Sequence, residues 1–77
     1  MKKVSIYSTA TCTYCKHAKD FFKDKGIQYD EFDVGIDQEK RKEMVDLTGQ
    51  LGVPVIRIDD HIMVGYDQNA VAKALGL

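Results

Sequence analysis

Val4-Ser5-Ile6-Tyr7-Ser8-Thr9-Ala10-Thr11-Cys12-Thr13-Tyr14-Cys15-Lys16-His17-Ala18 is the stretch that decides the fold. It opens on β-forming residues in alternation, Val4 and Ile6 on one side, Ser5 and Tyr7 on the other, which predicts a strand over residues 3–7. Ser8 to Thr11 are small or hydroxyl-bearing and read as a loop. From about Thr13 the apolar positions Ala18, Phe21 and Phe22 fall at i, i+3, i+4, while Lys16, Lys19, Asp20, Lys23 and Asp24 cover the other face. That pattern predicts a helix, stopped at Gly26. Between loop and helix stand Cys12 and Cys15, the chain's only two cysteines.

Working outward, residues 29–34 make a second short strand carrying Tyr29, Phe32 and Val34, and Gly35 to Asp37 a turn. Residues 38–48 set Met44, Val45 and Leu47 among charged residues that include Glu39, Lys40, Arg41, Lys42 and Glu43, and end at Gly49, as a second helix does. Phe21, Phe22, Met44 and Leu47 are the predicted core anchors. Residues 53–58 read as a strand with the only proline, Pro54, at its start, where a strand tolerates one. Asp59-Asp60 is a turn signal and residues 61–64 return as the second arm of a hairpin. Asp67 is a good N-cap for a last helix over residues 68–75, with Val71, Ala74 and Leu75 apolar before Gly76. The order β-α-β-α-β-β-α needs a parallel pair with a helical crossover and an antiparallel hairpin. The expected fold is therefore α/β, with a four-stranded mixed sheet.

Seventy-seven residues allow one domain, 1–77, and a chain this size buries only about 60% of its unfolded surface. A net charge of −1, with 44% hydrophobic and 30% charged residues, gives no long-range pull towards nucleic acid or anionic lipid. The uncharged apolar run from Gly52 to Ile56 falls far short of the roughly 20 residues a membrane span needs. Met1-Lys2-Lys3 leads into strand residues and not into a signal-peptide core, so the chain reads as cytoplasmic.

If the first helix begins at the cysteine pair, Cys12 lies at its first turn, where unpaired backbone N–H groups and the helix dipole favour an anion. Cysteines so placed in C-x-x-C have pKa values lowered from about 8.5 to between about 3.5 and 7.5. Lys16, His17 and Lys19 add positive charge, although a solvated helix face is the ordinary reading of such residues. Cys15, one turn on and facing inward, is expected to stay a thiol. The pair then suits thiol–disulfide exchange: Cys12 attacks a disulfide and Cys15 resolves the mixed disulfide. A structural staple explains it poorly, because so short a loop constrains little unfolded-state entropy. Zinc is a poor fit too, since His17 and His61 lie on different elements without ligand spacing.

Four features together, namely the strand, Cys12-Thr13-Tyr14-Cys15 opening a helix, Val53-Pro54-Val55 before a strand, and Gly65-Tyr66-Asp67 opening the last helix, resemble the glutaredoxin family of the thioredoxin superfamily. The resemblance covers essentially the whole chain. It implies a thioredoxin/glutaredoxin fold, a four-stranded sheet flanked by three helices, with Cys12 as nucleophile and Cys15 as resolver. It also implies a cis Val53-Pro54 bond beside the sulfurs. Thr11, Thr13, Tyr14, Val53, Pro54, Gly65, Tyr66 and Asp67 become the implied substrate or glutathione contacts, with Lys16 as supporting charge. Tyr14 reads equally as a stack for substrate or as a cover for the helix start.

The departures bear on the reductant. Glutathione-using relatives usually carry Lys where this chain has Ser8, Thr where it has Gly52, Gly-Gly where it has Val64-Gly65, and an acidic residue where it has Gln68. These absences tilt the reading towards thioredoxin reductase, because a site stripped of paired polar contacts loses discrimination. The chain is similar in this to NrdH-type redoxins and to short bacterial glutaredoxin-like proteins of the YruB kind. The function so implied is that of a monomeric dithiol oxidoreductase that acts on protein or mixed disulfides as an electron donor in cell redox homeostasis. It holds no tightly bound cofactor and no metal, and glutathione stays open as co-substrate. A [2Fe-2S] or regulatory module without turnover is the alternative, since relatives bridge such a cluster with one cysteine per chain.

Overall fold

The computed structural model describes residues 2–77; Met1, the first residue of the basic lead-in, lies outside the described residues. Its elements run β1 Val4–Ser8, α1 Thr13–Asp24, β2 Asp30–Asp33, α2 Gln38–Thr48, β3 Val55–Ile58, β4 His61–Val64 and α3 Gln68–Leu75. The strands form one sheet in the order β2-β1-β3-β4, with β1 parallel to β2 and both β1–β3 and β3–β4 antiparallel. This is the mixed four-stranded sheet with three helices that the element order calls for.

Register explains the two faces. Val4 lies opposite Ile58 and Ile6 opposite Ile56; these residues pack with Ala18, Phe21 and Phe22 of α1 and Val71 of α3. The neighbouring pair, Tyr7 and Val55, points the other way and packs with Met44 of α2 and with Val34, which follows β2. Helices cover both sides of β1, so all five of its residues are buried. Its alternation therefore selects between two cores, not between core and water.

All three helices end as their sequences foretell. Gly26 takes φ 66°, and Ile27 N–H reaches back to the Phe22 carbonyl at 2.8 Å, a Schellman-type closure. Gly49 and Gly76 are left-handed caps for α2 and α3. β4 runs as read and β1 is shifted by one residue, whereas β2 and β3 are shorter than read. β3 starts at Val55, because Pro54 has no N–H to give a ladder. β2 spans only Asp30–Asp33, with the Tyr29 ring turned onto Phe22 at 5.2 Å. Leu47 is not core: it is 36% exposed, and Met44 alone of α2 is fully buried. Periodicity names a helix face, whereas the amount of that face that is covered depends on what lies beneath it.

The sheet's margins differ in charge. β2 reads Asp30-Glu31-Phe32-Asp33, and β4 reads His61-Ile62-Met63-Val64.

Candidate active site

β1 delivers the chain directly to the cysteines. Residues 9–12 close a turn in which Cys12 N–H donates to the Thr9 carbonyl at 3.3 Å. Cys12 then takes an extended conformation, φ −84° and ψ 112°, as the N-cap of α1, and its Sγ accepts the Cys15 amide at 3.2 Å. Sulfur thus stands where a Ser or Asp oxygen usually serves, on one of the amides a helix leaves unpaired. Cys12 and Cys15 are joined as a disulfide, with Cα atoms 5.2 Å apart. Cys12 is half-buried, whereas Cys15 is 0% exposed, packed under the helix.

Two further loops meet this end of the sheet, and the pairing shows why. Val55 lies opposite Tyr7 on β1 and opposite Val64 on β4, so residues 52–54 and 65–67 lie beyond the strand ends where β1 gives way to the cysteine loop. Gly65 N–H donates to the Pro54 carbonyl at 2.7 Å, tying the two loops together. The Val53-Pro54 bond is cis, Pro54 is buried, and Val53 is half-buried against the Tyr7–Met44 core. Gly65 sits at φ 86°, which only glycine adopts at ease. Asp67 caps α3, accepting from Asn69 N–H at 3.0 Å and Ala70 N–H at 3.3 Å.

The sequence-predicted residues thus gather at one end of the fold, in different postures. Thr11, Thr13, Tyr14 and Lys16 are exposed, and the Tyr14 ring meets His17 edge-on at 6.2 Å. Tyr66 is directed elsewhere: its ring packs against Phe21 at 6.5 Å, and burial pushes its hydroxyl pKa up. Lys19 is no free cation, because it donates to Glu31 on β2 at 2.8 Å. Among the described residues no three His, Cys, Asp or Glu side chains converge as a metal site.

Several residues that shape the site carry no motif. Gln50 accepts the Gly52 N–H through Oε1 and donates to the Gly52 carbonyl through Nε2, so one side chain satisfies both polar groups of a single residue. It thereby stiffens the approach to Val53. On the sheet's second face Tyr7 donates to Glu43 at 2.7 Å, and Lys40 both pairs with Glu43 at 3.1 Å and sits 4.3 Å over the Phe32 ring. These contacts strap α2 down. Only the helical spacing of Lys40 and Glu43 was a sequence signal for them.

A family model described as glutaredoxin matches residues 4–63. The chain is 42% identical over 72 residues to an uncharacterized glutaredoxin-like 8.6 kDa protein in the rubredoxin operon of Clostridium pasteurianum, covering 94% of this chain and 96% of that one. It is 36% identical over 76 residues to glutaredoxin 3 of Escherichia coli strain K12, covering 99% and 92%. Among solved structures, the glutaredoxin-like NrdH-redoxin of Escherichia coli superposes with a TM-score of 0.81 over 92% of each chain. At 20% identity that likeness speaks for the fold alone. No helix among the described residues is long and apolar enough to cross a membrane.

Proposed function

The chain belongs to the glutaredoxin family, and from that premise we propose that it is a dithiol thiol–disulfide oxidoreductase working through Cys12 and Cys15. The observation that carries this reading is the asymmetry of the pair: Cys12 Sγ accepts the Cys15 amide at a helix N-terminus, while Cys15 is wholly buried. An amide N–H and the positive end of a helix favour sulfur as thiolate, the form that attacks. In the reduced protein the Cys12 thiolate attacks one sulfur of a substrate disulfide. A Cys12 mixed disulfide forms, and the other substrate sulfur leaves as a thiolate that takes up a proton. The Cys15 thiol then gives up its proton and attacks the Cys12 sulfur. The second substrate thiol departs, leaving the Cys12–Cys15 disulfide with two electrons fewer.

Thr11, Thr13, Tyr14, Val53, Pro54, Gly65 and Asp67 line the approach to Cys12, and Lys16 lends positive charge. Tyr66 shapes the turn through its packing on Phe21. Two electrons from NADPH return the disulfide to dithiol through thioredoxin reductase, with glutathione and its reductase as the other route. The protein acts as a cytoplasmic monomer on disulfide-bearing partners.

Turnover of a small disulfide, run with NADPH and either reductase system, tests the reading. Activity with one of them, abolished in Cys12→Ser, is the expected result. Silence with both, or normal turnover by Cys12→Ser, overturns it.

A further inference from the structure

α2 covers only part of the sheet face on which it lies. Its Met44 packs with Tyr7 and Val55, and the next positions on that face of β1 and β3 are Ser5 and Arg57, which lie directly opposite each other. Beside them opens a cleft of about 640 Å³, walled by Lys40 and Glu43 of α2 and by Phe32 of β2. Its size is that of a small-molecule pocket. It lies on the opposite face of the sheet from the core packing of α1, the helix that carries Cys15.

The floor of the cleft holds a hydroxyl without a partner. Ser5 is only 7% exposed, and its Oγ makes no hydrogen bond among the described residues. No side-chain oxygen or nitrogen that is wholly shut off from solvent goes unpaired there, so this Oγ faces the cleft. Across the strand, Arg57 uses Nε on the Asp59 carbonyl at 3.1 Å. The guanidinium lies near the Tyr7 hydroxyl, where it opposes the rise that burial and Glu43 impose. The ion pairs among the described residues, Lys19–Glu31 and Lys40–Glu43, leave Arg57 and Lys3 without a carboxylate. A half-buried guanidinium lacking a counter-charge, beside a buried hydroxyl lacking an acceptor, costs free energy that a bound anion offsets.

The acids of the cleft limit that anion to a single charge. Glu43 accepts from Tyr7 at 2.7 Å and from Lys40 at 3.1 Å, Asp59 accepts the Lys3 amide at 2.9 Å, and Asp60 lies in the exposed hairpin turn. These three carboxylates balance Lys3, Lys40 and Arg57, so the lining has no surplus charge to hold a dianion. We propose that the cleft binds a small organic monocarboxylate. Its oxygens accept from the Arg57 fork, whose planar shape matches a carboxylate, and from the Ser5 hydroxyl, with Lys3 lending charge. Its apolar body rests on the half-buried Phe32 ring, beside the Lys40 ammonium that sits 4.3 Å over that ring.

The test is an NMR titration of the full chain at neutral pH with benzoate, phenyl phosphate and benzyl alcohol. Benzoate is expected to move the Ser5 and Arg57 amide signals saturably and to bind roughly tenfold more tightly than either of the others, the scale of a hydrogen bond to a charged group. Ser5→Ala and Arg57→Gln should each weaken benzoate by roughly tenfold, while Arg57→Lys keeps part of the affinity. Because the Ser5 hydroxyl has no partner, Ser5→Ala should leave the melting temperature unchanged or raise it. That variant decides the matter should Arg57→Gln fail to fold. No saturable shift with benzoate, shifts confined to residues 11–16, equal binding of benzyl alcohol or phenyl phosphate, or full affinity in Ser5→Ala overturns the inference. A sharp fall in melting temperature in Ser5→Ala overturns it too, by showing that the hydroxyl is paired within the fold.

Discussion

Helices α1 and α2 start at the same end of the sheet, lie on opposite faces, and are capped by one geometry with different chemistry. In α1 the Cys12 sulfur takes the amide three residues on, at 3.2 Å. In α2 the Asp37 carboxylate takes the equivalent amide of Lys40, at 3.0 Å. Beneath the caps the helices diverge. α1 drives Cys15, Ala18, Phe21 and Phe22 into the core, whereas α2 commits only Met44 and relies on the Tyr7–Glu43–Lys40 strap. A cap position is thus a generic seat for negative charge. On the oxidoreductase reading proposed above, it becomes a reactive one when the occupant is sulfur.

The largest expected effect comes from changing what sits in the α1 seat. Cys12→Ser keeps a capping oxygen, so melting temperature should hardly move, but disulfide turnover should fall by at least about a thousandfold, as for loss of an essential nucleophile. A large drop in melting temperature would show that the disulfide, not the cap, holds the helix start. Next is anchoring depth. Phe22→Ala should cost about 3–5 kcal/mol and Met44→Ala about 2–5, with Phe22 the greater, read by urea denaturation. A reversed order would make α2 the better anchored helix.

Asp37→Ala removes the carboxylate cap and should cost about 1 kcal/mol, a fall of roughly 4–8 °C in melting temperature, with turnover within about twofold of wild type. A larger loss of turnover would mean that α2 helps to shape the sulfur site. Tyr7→Phe gives the smallest change and the clearest pH signature. The Tyr7 hydroxyl, and after it Lys40, holds the Glu43 carboxyl below the usual carboxylate range. That contribution is present above about pH 4.5 and is lost as pH falls through the depressed value in the folded protein. Burial, reinforced by Glu43, pushes Tyr7 itself up to about 12, so its contribution is present below about 10 and lost as pH rises towards 12. The variant's melting temperature should respond less to pH at both extremes, and unchanged slopes would remove the strap from the account.

Elements that announce both ends were legible from sequence to the residue. α2 and α3 each run from an aspartate cap to a glycine, Asp37 to Gly49 and Asp67 to Gly76. Cys12 and Cys15 were legible for a similar reason, since their spacing and the onset of helical periodicity coincide. Leu47 was misread because its periodicity is real but its cover is not. The pairing of Lys19 with Glu31 was not legible, because Glu31 lies on β2 and no pattern within a helix reports what a strand brings alongside. The exposure of Ile36 and Leu51, 83% and 59%, was invisible for a third reason: an apolar residue in a loop looks the same whether it folds inward or is held out.

The acidic β2 margin also governs how the protein behaves in a crowded solution. A sheet edge is a template, and any strand that docks on Asp30-Glu31-Phe32-Asp33 must bring its own backbone past three carboxylates. At neutral pH that margin refuses to seed growth.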